Sequence, residues 1–164
     1  MASINNLMVK NINYFMTKNG EMCQGNVYLK GKKIGFWSQD SNGGEDDYDF
    51  DLGLLTKLAE KYKKKLPDNF VLKKYFDEFM LLHEVVQFND FEELYKKNIS
   101  KGYPITICVT NGLEYQSIGA KNETKASTIK TIEEMKEKLS HSYMGDCDVI
   151  VYIFKNPFDF TISI

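Results

Sequence analysis

The chain of 164 residues contains no arginine; all 21 of its basic residues are lysine. Arginine's planar five-donor fork is the preferred group for gripping phosphate or guanine through two hydrogen bonds at once. Its absence argues against direct sequence-specific DNA binding and against catalysis by an arginine finger. An AT-rich coding sequence accounts for the same bias, and for the many Asn, Ile and Lys residues. Cysteine is also scarce: Cys23, Cys108 and Cys147 are widely spaced and odd in number. They form no disulfide framework and no Cys-x-x-Cys metal or redox pair, so each reads as a small packed hydrophobe. Long apolar runs are missing too. The stretch Val149 to Phe154 is far too short to span a bilayer. The N-terminus lacks the basic segment, apolar run and cleavage site of a signal peptide. A cytosolic location with no membrane partner is therefore expected. A net charge of -2 gives no long-range attraction to nucleic acid or to an anionic membrane.

What is present describes a globular chain. Hydrophobic residues make up 43% and charged residues 27%, enough apolar material for a packed core. No repeat or linker-like tract divides residues 1–164, so a single domain is expected. The clearest local signal is a hairpin, Asn26 to Lys30 and Lys33 to Trp37 around Gly31-Lys32, with glycine where a type II′ turn needs it. That register opposes Leu29 with Ile34 and Val27 with Phe36 on one face, with Tyr28 and Trp37 on the other. Leu7 to Thr17 alternates less cleanly and supplies a third strand.

Helical spacing follows. Leu52, Leu55, Leu58, Ala59 and Tyr62 recur on one face behind a potential cap at Asp51, and Pro67 ends the segment. A second helix is predicted over Val71 to Val86 and a short third over Phe91 to Asn98. Ile105 to Thr110 and Leu113 to Ser117 read as a second hairpin, with a three-residue loop opposing Val109 and Tyr115. Thr131 and Glu134 match a capping box for a helix from Ile132 to Ser142. Val149 to Phe154, apolar at every position, reads as a central strand covered on both faces, and Phe158 to Ile164 as the last strand. The fold class that follows is α+β: a largely antiparallel sheet with hairpins near both ends and three to four helices packed on it.

Candidate chemistry is sparse, and no catalytic residue or cofactor is assigned. Glu45, Asp46, Asp47, Asp49 and Asp51 form an acidic loop beside Asn42-Gly43-Gly44. Clustered carboxylates on such a loop suit calcium or magnesium. Asp40, Asn42 and Gly44 imitate the opening of an EF-hand, but its later Gly, apolar residue and closing Glu are not in place. A solvated loop leading into a helix N-terminus accounts for the same acids. His83 lies in an apolar helix, and His141 near the end of another; neither has an acid or nucleophile at a diagnostic spacing. The lysines at 61, 63, 64, 65, 73 and 74 form a basic segment diluted by acidic neighbours. Asn42-Gly43-Gly44 matches neither a Walker loop nor the dinucleotide fingerprint. Tyr28 and Trp37 either cover a second layer or form an exposed aromatic patch.

The segment VYLKGKKIGFWSQDSNGG resembles small proteins of bacteriophages and prophages that share a strand, a Gly-Lys-Lys hairpin, a second strand and an Asp-x-Asn-Gly-Gly loop. The resemblance covers residues 26–51 and transfers no catalytic residues. It implies a phage or mobile element of an AT-rich, Gram-positive host, and so the host bacterial cytoplasm. Small accessory proteins in that setting often act by binding, some as inhibitors of host defence. The function expected is a non-enzymatic accessory protein that binds a host protein, such as a CRISPR-type nuclease or another nucleic-acid-processing complex. Trp37, Tyr28, Glu45, Asp46, Asp47 and Asp49 are the expected contact residues. The alternatives are a divalent-metal-dependent enzyme or nucleotide-binding protein using loop 45–51 with help from Asp146 and Asp148, and a virion or assembly component.

Overall fold

The computed structural model describes residues 1–18, 20–40, 44–142 and 145–164. Asn42 and Gly43, two of the loop positions singled out above, lie outside the described residues. In chain order the elements are β1 (Ser3–Ile4), β2 (Leu7–Thr17), β3 (Gly20–Leu29), β4 (Lys32–Ser38), β5 (Asp47–Tyr48), α1 (Gly53–Lys63) and α2 (Glu78–Ser100). They continue with β6 (Ile105–Thr110), β7 (Tyr115–Ala120), α3 (Ala126–Leu139), β8 (His141–Ser142), β9 (Gly145–Asp146), β10 (Ile150–Phe154) and β11 (Thr161–Ile162). One sheet has the order β11-β1-β2-β3-β4-β5, a second β10-β6-β7, and β8 pairs with β9. Every pairing is antiparallel except that of β1 with β11. The fold is α+β.

The layers explain the burial pattern. α2 packs against β1 and β2 of the first sheet and against β6 of the second, and α3 covers the far side of β6 and β7. A helix held between two sheets must be apolar nearly all round. Leu81, Leu82, Val85, Val86, Phe88, Phe91 and Tyr95 are accordingly all buried. They join Val9, Val27, Trp37, Leu55, Tyr62, Cys108, Phe154 and Phe160 in the main core. A smaller cluster of Val109, Met135 and Leu139 seals α3 onto the second sheet.

The first hairpin forms one residue earlier than its pattern predicts. Lys30 and Gly31 are the turn residues, with φ of 50° and 81°, the primed geometry in which both central residues have positive φ. Tyr28 then opposes Lys33, and a bulge between that pair and Val27 sets Val27 opposite Gly35 and Gly25 opposite Trp37. The bulge turns Trp37 inward beside Val27, so Trp37 and Tyr28 lie on opposite faces rather than the same one.

Other boundaries move for identifiable reasons. The two helices predicted over 71–86 and 91–98 merge into one continuous helix only from Glu78 onward; residues 71–77 hold no more than a 3-10 turn, Lys73–Tyr75. Asp77 starts it by accepting the Met80 N–H at 2.9 Å. Asn89 does not break it, because its side chain bonds back to the Val85 carbonyl at 2.8 Å. Thr131 lies inside α3 rather than at its start, and its hydroxyl donates to the Ser127 carbonyl. The loop between β6 and β7 spans four residues, so Thr110, not Val109, opposes Tyr115. Asn111 holds that loop: its Oδ1 accepts the Leu113 and Glu114 N–H groups at 3.0 and 2.9 Å. β10 is an edge strand paired only with β6. Its apolar run is covered only in part: Tyr152 and Phe154 face α2 and Val151 faces α3, while Ile153 is exposed. The first three residues of the predicted last strand belong to a capped 3-10 turn, Pro157–Phe160, and only Thr161–Ile162 form a strand, the short β11.

Candidate binding cleft

The acidic loop directs several carboxylates at its own fold. Asp49 accepts the Phe36 N–H, and Asp51 accepts the Gly53 N–H at 2.9 Å. Asp47 is exposed in β5, and Glu45 is exposed beside it. Asp46 is the inward member: its Oδ2 accepts the indole N–H of Trp37 at 2.8 Å and lies 3.5 Å from His83 Nε2. Burial alone would raise the Asp46 carboxyl, but the hydrogen bonds from His83 and Trp37 outweigh it and hold the group below its ordinary value. Gln39 completes the chain. Its Oε1 accepts the Cys23 N–H at 2.7 Å, which turns its amide nitrogen toward His83 Nδ1 at 3.3 Å. The histidine therefore accepts at Nδ1 and presents its proton from Nε2 to Asp46. Both ring nitrogens are engaged, so His83 is held as a link between β4, the acidic loop and α2.

Trp37 is fully buried, with its ring edge-on to His83 at 5.1 Å. It therefore belongs to the core and presents no surface. Tyr28, on the other face of β3, lies under the Lys10 ammonium at 4.6 Å. Of the expected contact residues, then, the fold joins Trp37 to Asp46, sets Tyr28 apart, and leaves Glu45 and Asp47 facing solvent.

A cleft of about 290 Å³ opens in front of this link. The β2–β3 hairpin lines it with Tyr14, Glu21 and Cys23. α2 contributes His83, Glu84, Gln87 and Asp90, and the β6–β7 segment contributes Leu113 and Tyr115. His83, Gln87 and Asp90 recur at i, i+4 and i+7, which puts them in one row along α2. The Tyr14 hydroxyl donates to Asp90 and ties the hairpin to the helix. Tyr115 packs edge-on against Phe91 at 5.0 Å. An open outer lobe of about 540 Å³ shares Tyr14, Glu21, Asp90 and Tyr115, and adds Glu93, Leu94 and Lys97.

The cleft is an electrostatically negative place. Burial, and then the neighbouring Glu21 and Glu93 charges, push the Asp90 carboxyl up despite its hydrogen bond from Tyr14. The Tyr14 and Tyr115 phenols are likewise raised, by burial first and by Asp90 next. Burial, with Asp90, Asp46 and Glu21, raises the Cys23 thiol to about 12, so Cys23 is no nucleophile at neutral pH. At the inner end, Glu84 is 5% exposed and accepts the Tyr62 hydroxyl at 3.0 Å. Burial outweighs that bond and raises its carboxyl to about 7.

Away from the cleft, His141 meets Asp146 at 2.7 Å on an exposed hairpin. The Cys147 thiol points at the Leu139 and Ser140 carbonyls. Asp148 accepts the Asn69 N–H at 3.1 Å. Asp146 and Asp148, which a metal site on loop 45–51 would require, thus have partners of their own. Among the described residues no three His, Cys, Asp or Glu side chains are grouped to hold a metal ion. Among them, too, no helix is long and apolar enough to cross a membrane.

Sequence reasoning missed Tyr14, Glu21, Gln87, Asp90, Leu113 and Tyr115. They come from four separate stretches, and the one readable clue was the polar row 83, 87 and 90 at helical spacing on α2. Comparison with protein-family models, with curated proteins and with solved structures found no match for this chain.

Proposed function

We propose that this protein is a non-enzymatic accessory protein of a phage or mobile element, and that it docks on a host protein through the cleft between the β2–β3 hairpin, α2 and the β6–β7 turn. The observation that carries this reading is the rim. Tyr14, Leu113 and Tyr115 are 46%, 37% and 39% exposed above an acidic interior. Exposed tyrosines around a concave polar site are the composition favoured at protein interfaces, where a rigid ring contributes contact area at low entropic cost. The histidine that borders the cleft has both nitrogens engaged, and the thiol there is held protonated, which favours recognition over chemistry. In its concrete form the partner is a component of a host defence system, and binding inhibits it.

The test is capture on tagged protein from host lysate, identification by mass spectrometry, and reconstitution with the purified partner. Leu113→Asp is expected to weaken the reconstituted complex at least about tenfold, the scale of one interface anchor. Ile129→Ala, at an exposed position on α3, is expected to leave it unchanged. A partner that binds Leu113→Asp as tightly as the wild type overturns the docking site.

A further inference from the structure

Resting on the docking reading, we infer that the cleft is a socket for one arginine side chain of the partner protein, whose guanidinium enters among Glu21, Gln87 and Asp90 beneath Tyr14 and Tyr115. The polar side chains of the inner cleft are rich in acceptors. Glu21 and Asp90 bring carboxylates, Glu84 brings a buried carboxyl raised to about 7, and no lysine lines this lobe. Gln87 Oε1 is buried without a hydrogen-bond partner. A buried acceptor left unpaired costs about 1–3 kcal/mol, so a donor brought by a partner is favoured here.

Charge complementarity selects a cation, and geometry selects among cations. The Asp90 carboxylate sits among Glu21 and Glu93; burial first, and then these two charges, raise its proton affinity, and a positive group between them relieves the repulsion. An ammonium offers three donors on a compact, strongly hydrated head. A guanidinium offers five in a flat fork, loses its water more readily, and stacks on aromatic faces. Two tyrosines shared by both lobes, acceptors spread along a helix row, and an inner volume at the small end of ligand sites all fit the flat group. Lys97, on the outer lobe alone, opposes a cation at the entrance and sets the sign of one test.

The experiment is an amide-shift NMR titration of the whole protein with the blocked peptide Gly-Gly-Arg-Gly-Gly, beside its lysine and norleucine analogues. Saturable shifts are expected around Asp90, Leu113 and Tyr115 with the arginine peptide. Asp90→Asn, which keeps an oxygen for the Tyr14 hydroxyl, and Glu21→Gln are each expected to weaken binding about fivefold, and Lys97→Ala to strengthen it about twofold. Equal shifts with norleucine, or an unaltered affinity in Asp90→Asn, overturn the socket. Equal affinity for the lysine peptide overturns the choice of guanidinium. The docking reading stands or falls separately. If the arginine peptide fails while Leu113→Asp still abolishes the reconstituted complex, the anchor falls and the interface stands. If the peptide binds while that complex ignores Leu113→Asp, the socket stands and the docking reading falls.

Discussion

Glu84 sits near the midpoint of its own titration at neutral pH, and that makes the stability of the whole fold depend on pH. Its carboxyl is buried between α1 and the second sheet, accepts the Tyr62 hydroxyl, and is raised from an ordinary 4.5 to about 7. In the unfolded chain the group ionises near 4.5; in the folded chain it keeps its proton to about 7. Between those values the folded state holds one more proton, so stability is fully present below pH 4.5 and is lost as pH rises to about 7. Each pH unit in that window costs about 1.4 kcal/mol, a total of about 3 kcal/mol, which is a large share of a typical domain's 5–15 kcal/mol. Glu84→Gln retains an acceptor for Tyr62 and removes the ionisation. The substitution is expected to be near neutral at pH 5 and to stabilise by about 2–3 kcal/mol at pH 8. Urea unfolding followed by the fluorescence of the single, buried Trp37 reads this as a midpoint gain of about 1–2 M at pH 8 only. Asp46 and Glu92, held below their ordinary values, and Asp90, raised above its own, contribute alike to wild type and Glu84→Gln and cancel from the difference. A difference between wild type and Glu84→Gln that does not grow from pH 5 to pH 8 would refute the reasoning.

Three further outcomes follow from the geometry. Trp37→Phe removes the 2.8 Å bond to Asp46 and is expected to destabilise by about 2 kcal/mol at pH 7. Since the Asp46 carboxylate contributes its stability above the carboxylate range, that deficit should shrink in denaturation curves taken as pH falls toward 3. A Cβ at Gly35 would stand 2.3 Å from Asp49 Oδ1 and 2.8 Å from Phe50 Cβ, so Gly35→Ala is expected to cost about 1–3 kcal/mol in the same assay. Lys30→Asn places a residue that tolerates positive φ ahead of Gly31 and should raise the thermal midpoint by a few degrees, from about 0.5–1 kcal/mol.

The sequence by itself determined the α+β class, the presence of both long hairpins, and the apolar faces of α1 and of β6. Each of these is written in a local period or a turn residue, and local periods survive whatever the rest of the chain does. It did not determine register. Whether Trp37 faced in or out depended on a turn one residue earlier and a bulge, and in a strand one residue reverses every side chain. It did not show that α2 is continuous: the two predicted helices left 87–90 unassigned, and only the fold shows the helix running through them, with the Asn89 side chain bonded back to Val85. The capping pattern at Thr131 was misleading for a related reason: a helix starts where packing allows, and α3 begins five residues earlier.

The acidic loop was legible as charge, but tertiary structure decided what its charges do. Asp46 and Asp49 find backbone and indole partners that no spacing encodes. The cleft was least legible of all. Tyr14, Asp90 and Tyr115 are far apart in the chain and meet only because α2 is held between two sheets. Local pattern sets which residues point inward. The meeting of two sheets on one helix sets which polar groups are left facing one another, and in this protein that is where the candidate site lies.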